Sequence, residues 1–168
     1  MNSNLSIKTL KDVNCPQHII EHSKTVSKKS LEMASNFKGK TGLNINMELV
    51  ENGSLLHDIG RSKTHTIKHA IVGAEILRNL NFPVKIINIT LNHIGAGIPR
   101  NEAKILGLPF INYMPKTFEE KIVAHADNLV NGTVEVDINF VINKWGQKFG
   151  KNHPSITRLK KLHNELII

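Results

Sequence analysis

Ser54-Leu55-Leu56-His57-Asp58-Ile59-Gly60 sets a histidine and an aspartate side by side at the end of an apolar run. Neighbouring side chains on a helix diverge by roughly 100°, so the pair can grip one ion only if other segments converge on it. His22 lies upstream, and His69, His93 and Asp127 follow at intervals long enough to place most of them on separate helices. Imidazole nitrogens mixed with carboxylates suit iron, manganese, nickel, cobalt or zinc better than magnesium or calcium, which favour oxygen shells. The pattern reads as a transition-metal centre assembled from distant helices.

Outward from that pair, apolar residues recur at helical rather than alternating spacing. A short helix is expected over 5–12, then a break at Asn14-Cys15-Pro16, then a long helix over 16–37. In the long helix Ile19, His22, Val26, Leu31, Met33 and Ala34 fall mostly on one side, which turns His22 towards the core. His18, one turn earlier, is an alternative ligand or a partner of one. A helix from Met47 is expected to end near Gly60, read as a left-handed cap that turns the chain away. Arg61 and Lys63 follow in a polar loop. Helices are expected over 65–81 and 84–93, the second stopped by Gly95-Ala96-Gly97-Ile98-Pro99. The stretch 100–115 reads as partly irregular. Thr117-Phe118-Glu119-Glu120 is a capping box that opens a helix over 117–131, and two more helices are expected over 136–149 and 154–166. The expected fold is all-α: one compact multi-helix bundle over 1–168 around the metal site, with its core at about 16–131 and two C-terminal helices within 136–166.

The chain has 168 residues, enough for one domain with a real apolar core. Cys15 is the only cysteine, which excludes an intrachain disulfide, and the N-terminus shows no apolar signal core. A cytoplasmic setting is expected. No run approaches the roughly 20 apolar residues of a membrane span, so no membrane partner is expected. A net charge of +8 and a pI near 9.7 favour a phosphorylated small molecule or a nucleotide as partner. Aromatics are sparse, with one Tyr, one Trp and six Phe, most of them within apolar patterns, so sequence-specific nucleic-acid binding is not supported.

A lone histidine on an apolar helix face is usually a packed, hydrogen-bonded residue. Nine histidines in this chain change that balance, because unpaired inward imidazoles cost free energy that a shared metal removes. His22, His57, Asp58 and Asp127 form the leading ligand set, and the alternative for Asp127 is a buried salt bridge or a bond within its helix. His125 points roughly 200° away from Asp127 and reads as structural. His69 and His93 either complete a second metal site bridged by Asp58 or, beside a single ion, contact phosphate or donate a proton. His65 is a weaker substitute for His69, and His153 and His163 read as surface residues.

The ordered set His22, His57-Asp58, His69, His93, Asp127 resembles the HD superfamily of metal-dependent phosphohydrolases, and His57-Asp58-Ile59-Gly60 matches its HDIG variant. His69-Ala70-Ile71-Val72-Gly73-Ala74-Glu75-Ile76-Leu77 and His93-Ile94-Gly95-Ala96-Gly97-Ile98-Pro99 resemble the segments carrying the family's third and fourth histidines. The likeness spans about 16–131 and extends to small stand-alone archaeal HDIG proteins and, more distantly, to bacterial HD-type dinucleoside tetraphosphate hydrolases. Cyclic di-GMP hydrolysis is disfavoured, because the Gly-Tyr-Pro signature and a second histidine beside the fourth are missing. A bifunctional alarmone enzyme is disfavoured too, since no synthetase domain accompanies the module.

The resemblance implies one or two divalent transition-metal ions, drawn from Fe, Mn, Ni, Co and Zn, held by His22, His57, Asp58, His69, His93 and Asp127. It implies water-driven cleavage of a phosphate ester or anhydride, with phosphomonoesterase, phosphodiesterase and pyrophosphohydrolase chemistry all open. Asp58 is the expected catalytic carboxylate, orienting or deprotonating the water. Arg61, Lys63, Lys68 and Arg100 are the candidate phosphate contacts. A non-catalytic nucleotide sensor using the same pocket is the alternative.

Overall fold

Residues 3–167 are described by the structure, a computed structural model. Helix α1 (Ser3–Asp12) leads through Pro16 into the long α2 (Gln17–Thr41). Ile19, Ile20, Ser23, Val26, Ser27, Ser30, Met33, Ala34 and Phe37 are buried at helical spacing along α2. Gly42, at φ +72°, ends α2 and donates its N–H to the Lys38 carbonyl, a left-handed stop that glycine adopts without a Cβ penalty. Helix α3 (Met47–Leu56) is capped by Asn46, whose side chain accepts from the Leu49 N–H.

Helices α4 (His69–Asn79), α5 (Val84–Asn92), α6 (Arg100–Ile105) and α7 (Phe118–Asn128) follow. Thr117 caps α7 by accepting from the Glu120 N–H. A two-stranded antiparallel hairpin, β1 (Val130–Asn131) and β2 (Val134–Glu135), pairs Val130 with Glu135 and precedes α8 (Ile138–Phe149) and α9 (Pro154–Leu166). Asp137 caps α8 through the Phe140 N–H, and Pro154 occupies the first turn of α9. The main apolar core joins α2, α3, α5, α7, α8 and α9 through residues such as Val26, Phe37, Val50, Ile89, Ile122, Val141 and Leu159. A second core joins α1 and α4 to α2, α3 and α5 through Leu10, Ile20, Leu56, Leu77 and Ile86.

The fold is all-α apart from that hairpin, with four corrections to the expected elements. The helix from Met47 does not run on to Gly60: it stops at Leu56, and a 3-10 turn at Ile59–Ser62 follows. Gly60 is not left-handed. Its missing side chain serves close packing instead, since a Cβ there would lie 2.0 Å from the His69 carbonyl oxygen and 2.6 Å from the Gly73 nitrogen. The helix expected over 65–81 begins only at His69, and the one expected over 117–131 stops at Asn128, where the hairpin takes over; the stretch 100–115, read as partly irregular, holds only the short α6.

Candidate metal centre

Five segments deliver six side chains to one place. His22 comes from the second turn of α2, His57 and Asp58 follow the end of α3, His69 opens α4, His93 follows α5, and Asp127 stands in the last turn of α7. Asp58 adopts φ −102° and ψ 13°, the sparsely populated bridge region common among active-site residues. His57, Asp58, His69 and His93 are buried, while the His22 and Asp127 side chains keep 16% and 22% exposure and so form the open edge of the cluster.

Every one of the four rings is tethered in the same way. The Nδ1 atoms of His22, His57, His69 and His93 lie 2.7, 2.6, 2.8 and 2.7 Å from the carbonyl oxygens of Gly132, Ser54, Thr66 and Thr90. A carbonyl only accepts, so each Nδ1 carries the proton and each Nε2 of a neutral ring presents a lone pair to the cluster. Three of these carbonyls lie three residues before their histidine, a local geometry set by the ends of α3 and α5 and by the turn that leads into α4. The fourth, Gly132, is the left-handed turn of the hairpin at φ +65°, which explains what the hairpin does for the site.

The Nε2 atoms and carboxylates then converge. Asp127 Oδ1 lies 3.0 Å from His22 Nε2 and 3.5 Å from His57 Nε2. Asp58 Oδ1 lies 3.1 Å from His69 Nε2 and 3.5 Å from His93 Nε2, while Oδ2 lies 3.8 Å from His57 Nε2. Three triads, His22–His57–Asp58, His57–His93–Asp127 and Asp58–His69–His93, each bring one donor atom per residue within 4.8 Å of the others. Asp58 therefore faces two donor groups with its two oxygens. His57 Nε2 and Asp58 Oδ1 are buried without a well-aligned hydrogen bond, and the facing Nε2 atoms of His69 and His93 stand 3.1 Å apart. Buried orphan acceptors and opposed lone pairs are costly, and a divalent cation with an affinity for nitrogen and carboxylate removes both penalties. The residues fit such an ion.

Electrostatics tell the same story. Burial opposes charge on His57, yet the Asp58 and Asp127 carboxylates outweigh it and raise its pKa to about 9. Burial likewise opposes ionisation of Asp58, but the charge of His57 and the nearby rings of His69 and His93 hold its carboxyl well below the usual range. Asp127 is held low against burial by His22 and His57. His93 is shifted down, chiefly by burial. Both carboxylates are thus held ionised, and His57 is the imidazole they favour in its charged form.

A cavity of about 220 Å³ opens onto the exposed edge, reaching His22, Asp58 and Asp127. Arg61 lines it and places Nε 2.5 Å from Asp58 Oδ2. Lys63, Lys68 and Arg100 are exposed and outside its lining, and Arg100 lies over the Phe110 ring at 5.4 Å. His18 and His65 are exposed and outside the three triads. His153 caps α9, accepting from the Ser155 N–H through Nδ1. His163 is not a free surface residue: its Nδ1 lies 3.0 Å from Nε2 of the fully buried His125. Sequence reasoning missed the cavity wall formed by Phe140, Lys144 and Trp145. The signal available was the chain's one tryptophan, directly after a lysine and five residues after a phenylalanine on an amphipathic helix.

Among the described residues, no helix is long and apolar enough to cross a membrane. The HD domain family description matches residues 19–132. An uncharacterized protein of Methanocaldococcus jannaschii is 53% identical over 152 residues, covering 90% of this chain and 89% of that protein. A tRNA (cytidine(56)-2'-O)-methyltransferase of Picrophilus torridus is 45% identical over 157 residues, which cover 94% of this chain but only 44% of the methyltransferase. In three dimensions, the HD domain of the L. monocytogenes phosphodiesterase PgpH, crystallised with cyclic-di-AMP, matches with a TM-score of 0.57 at 20% identity, over 96% of this chain and 93% of that one. With the matched region spanning every histidine and aspartate of the cluster, and an archaeal relative aligned along nearly its whole length, this chain belongs to the HD domain family.

Proposed function

We propose that the chain is a metal-dependent phosphohydrolase that cleaves a phosphate ester or anhydride of a nucleotide-like substrate. The observation that carries this reading is the convergence of four Nδ1-tethered histidines on two low-pKa carboxylates at the floor of a cavity that Arg61 and Lys144 also line. His22, His57, Asp58 and Asp127 would hold one ion, and Asp58, His69 and His93 a second. A divalent cation supplies, when bound, an electrophile for phosphoryl oxygen and acidity for water. Asp58, with a carboxyl held well below the ordinary range, is a weak base, so it orients the attacking water and fixes the donor groups rather than accepting a full proton. Arg61 reaches from Asp58 into the cavity and offsets the negative charge that builds on the phosphoryl group. The cavity edge at His22 and Asp127 is where that group enters.

Metal-free protein reloaded with Mn, Co, Ni, Zn or, without oxygen, ferrous iron tests the reading against aryl phosphate mono- and diesters and a nucleotide panel. Turnover is expected with at least one metal, falling at least about a hundredfold in both His57→Ala and Asp58→Ala. Nucleotide binding with no turnover under any metal would make the chain a sensor and overturn the assignment. Metal content near two ions per chain supports the bridged arrangement, and one ion per chain removes it.

A further inference from the structure

Helix α8 lies beyond the stretch matched to the HD family, yet it forms a wall of the cavity. Phe140, in its first turn, keeps 44% of its surface exposed, while the Asp137 carboxylate accepts its backbone N–H. Lys144, one turn on, sets Nζ 2.9 Å from the Asn131 amide oxygen and 6.0 Å from the Phe140 ring centre. Among the described residues no ion pair joins Lys144 to a carboxylate. Trp145 is half-buried against the loop that follows His93. A Cβ on Gly95 would stand 3.2 Å from the indole six-membered ring, so Gly95, at φ +58°, admits that close approach. Asn128 clamps the same loop by donating Nδ2 to the Gly95 carbonyl at 2.9 Å. One cavity thus joins an acid–imidazole floor to a wall of two aromatic rings and an unneutralised ammonium.

Flat aromatic faces beside a lysine suit a nucleobase, whose stacking tolerates any base because every base has a π-face. A cavity of about 220 Å³ is small for ligand sites, which commonly run from roughly 300 Å³ upwards, so it takes one nucleotide unit rather than a longer polymer. We infer that α8 is the substrate-selecting wall: Phe140 and Trp145 stack the base of a single nucleoside phosphate, and Lys144 contacts a phosphate oxygen that does not react. The inference rests on the phosphohydrolase reading for the orientation of the substrate but makes its own claim about binding.

Trp145 is the only tryptophan, so its emission reports the wall directly and without turnover. The metal-loaded chain is titrated with adenosine and uridine monophosphates, ribose 5-phosphate and inorganic phosphate. Both nucleotides are expected to quench Trp145 saturably and to bind about tenfold more tightly than ribose 5-phosphate. Phe140→Ala, at an exposed position, should keep the parent circular dichroism and melting temperature while shrinking that preference to about threefold or less. Lys144→Ala should weaken nucleotides and ribose 5-phosphate alike. Equal affinity for nucleotides and ribose 5-phosphate in the parent chain, or an undiminished preference in Phe140→Ala, overturns the inference. Turnover of simple phosphate esters without base preference would sink this wall and spare the hydrolase, whereas base preference without turnover would do the reverse.

Discussion

Gly60 is where the segment carrying Asp58 touches the helix that begins with His69. With the His69 carbonyl 2.0 Å and the Gly73 nitrogen 2.6 Å from a Cβ placed there, any side chain must push one backbone off the other. Both obstacles are main chain, which cannot swing aside as a rotamer does. Gly60→Ala is therefore expected to destabilise by about 3 kcal/mol or more and to lower metal content, because Asp58 and His69 lose their fixed separation. Urea unfolding together with metal analysis checks this, and a parent-like midpoint would refute it. The glycine itself was legible beside His57-Asp58, but its role was not: a Gly after a helical run reads as a left-handed stop, and only the approach of α4 shows that space, not φ, is what it supplies. The same limit applies to the basic residues. Arg61, three positions from Asp58, meets its carboxylate within one turn, whereas the side-chain directions of Lys63, Lys68 and Arg100 depend on tertiary neighbours.

At the level of elements, α7 carries Asp127, and its start is secured by Thr117. Removing that cap with Thr117→Ala is expected to cost about 1 kcal/mol, read as a lowered unfolding midpoint with an unchanged denaturant slope. The capping box was visible in the sequence, yet Glu120 does more than the motif implies. Its carboxylate accepts from the Lys116 N–H and from Asn92 Nδ2, each at 3.0 Å, and so braces α7 against the end of α5 just before His93. Long amphipathic helices were equally readable: α2, α8 and α9 follow from apolar spacing alone. The hairpin was not, because two-residue strands are too short to show alternation. Nor was the break after Leu56, since apolar Leu55, Leu56 and Ile59 carry the helical pattern straight through the 3-10 turn. The clustered histidines and aspartates could be read because their signal resides in residue identity and order, while the proposed substrate wall resides in how α8 folds back over the His93 loop.

Across the whole molecule, the contact of α7 with α9 is guarded by a histidine that must stay neutral. Burial, and after it the neighbouring His163, push the His125 pKa from 6.5 down to about 3. The unfolded chain takes up that proton near pH 6.5 and the folded chain only near 3, so the stabilisation is complete above 6.5 and is lost as pH falls towards 3. In chelator-treated protein, His125→Phe is expected to flatten the acid limb of the stability curve over this window by an amount on the order of a few kcal/mol. Urea titrations at a series of pH values decide it, and identical slopes for parent and variant would rule it out. A different consequence follows from the carbonyl tethers on the four clustered imidazoles. Their rings are oriented by the peptide backbone as the chain folds, so the entropy of ordering them is spent before any ion arrives. Stripping and restoring the ion should accordingly be a quick, reversible exchange in a cradle that keeps its shape while empty.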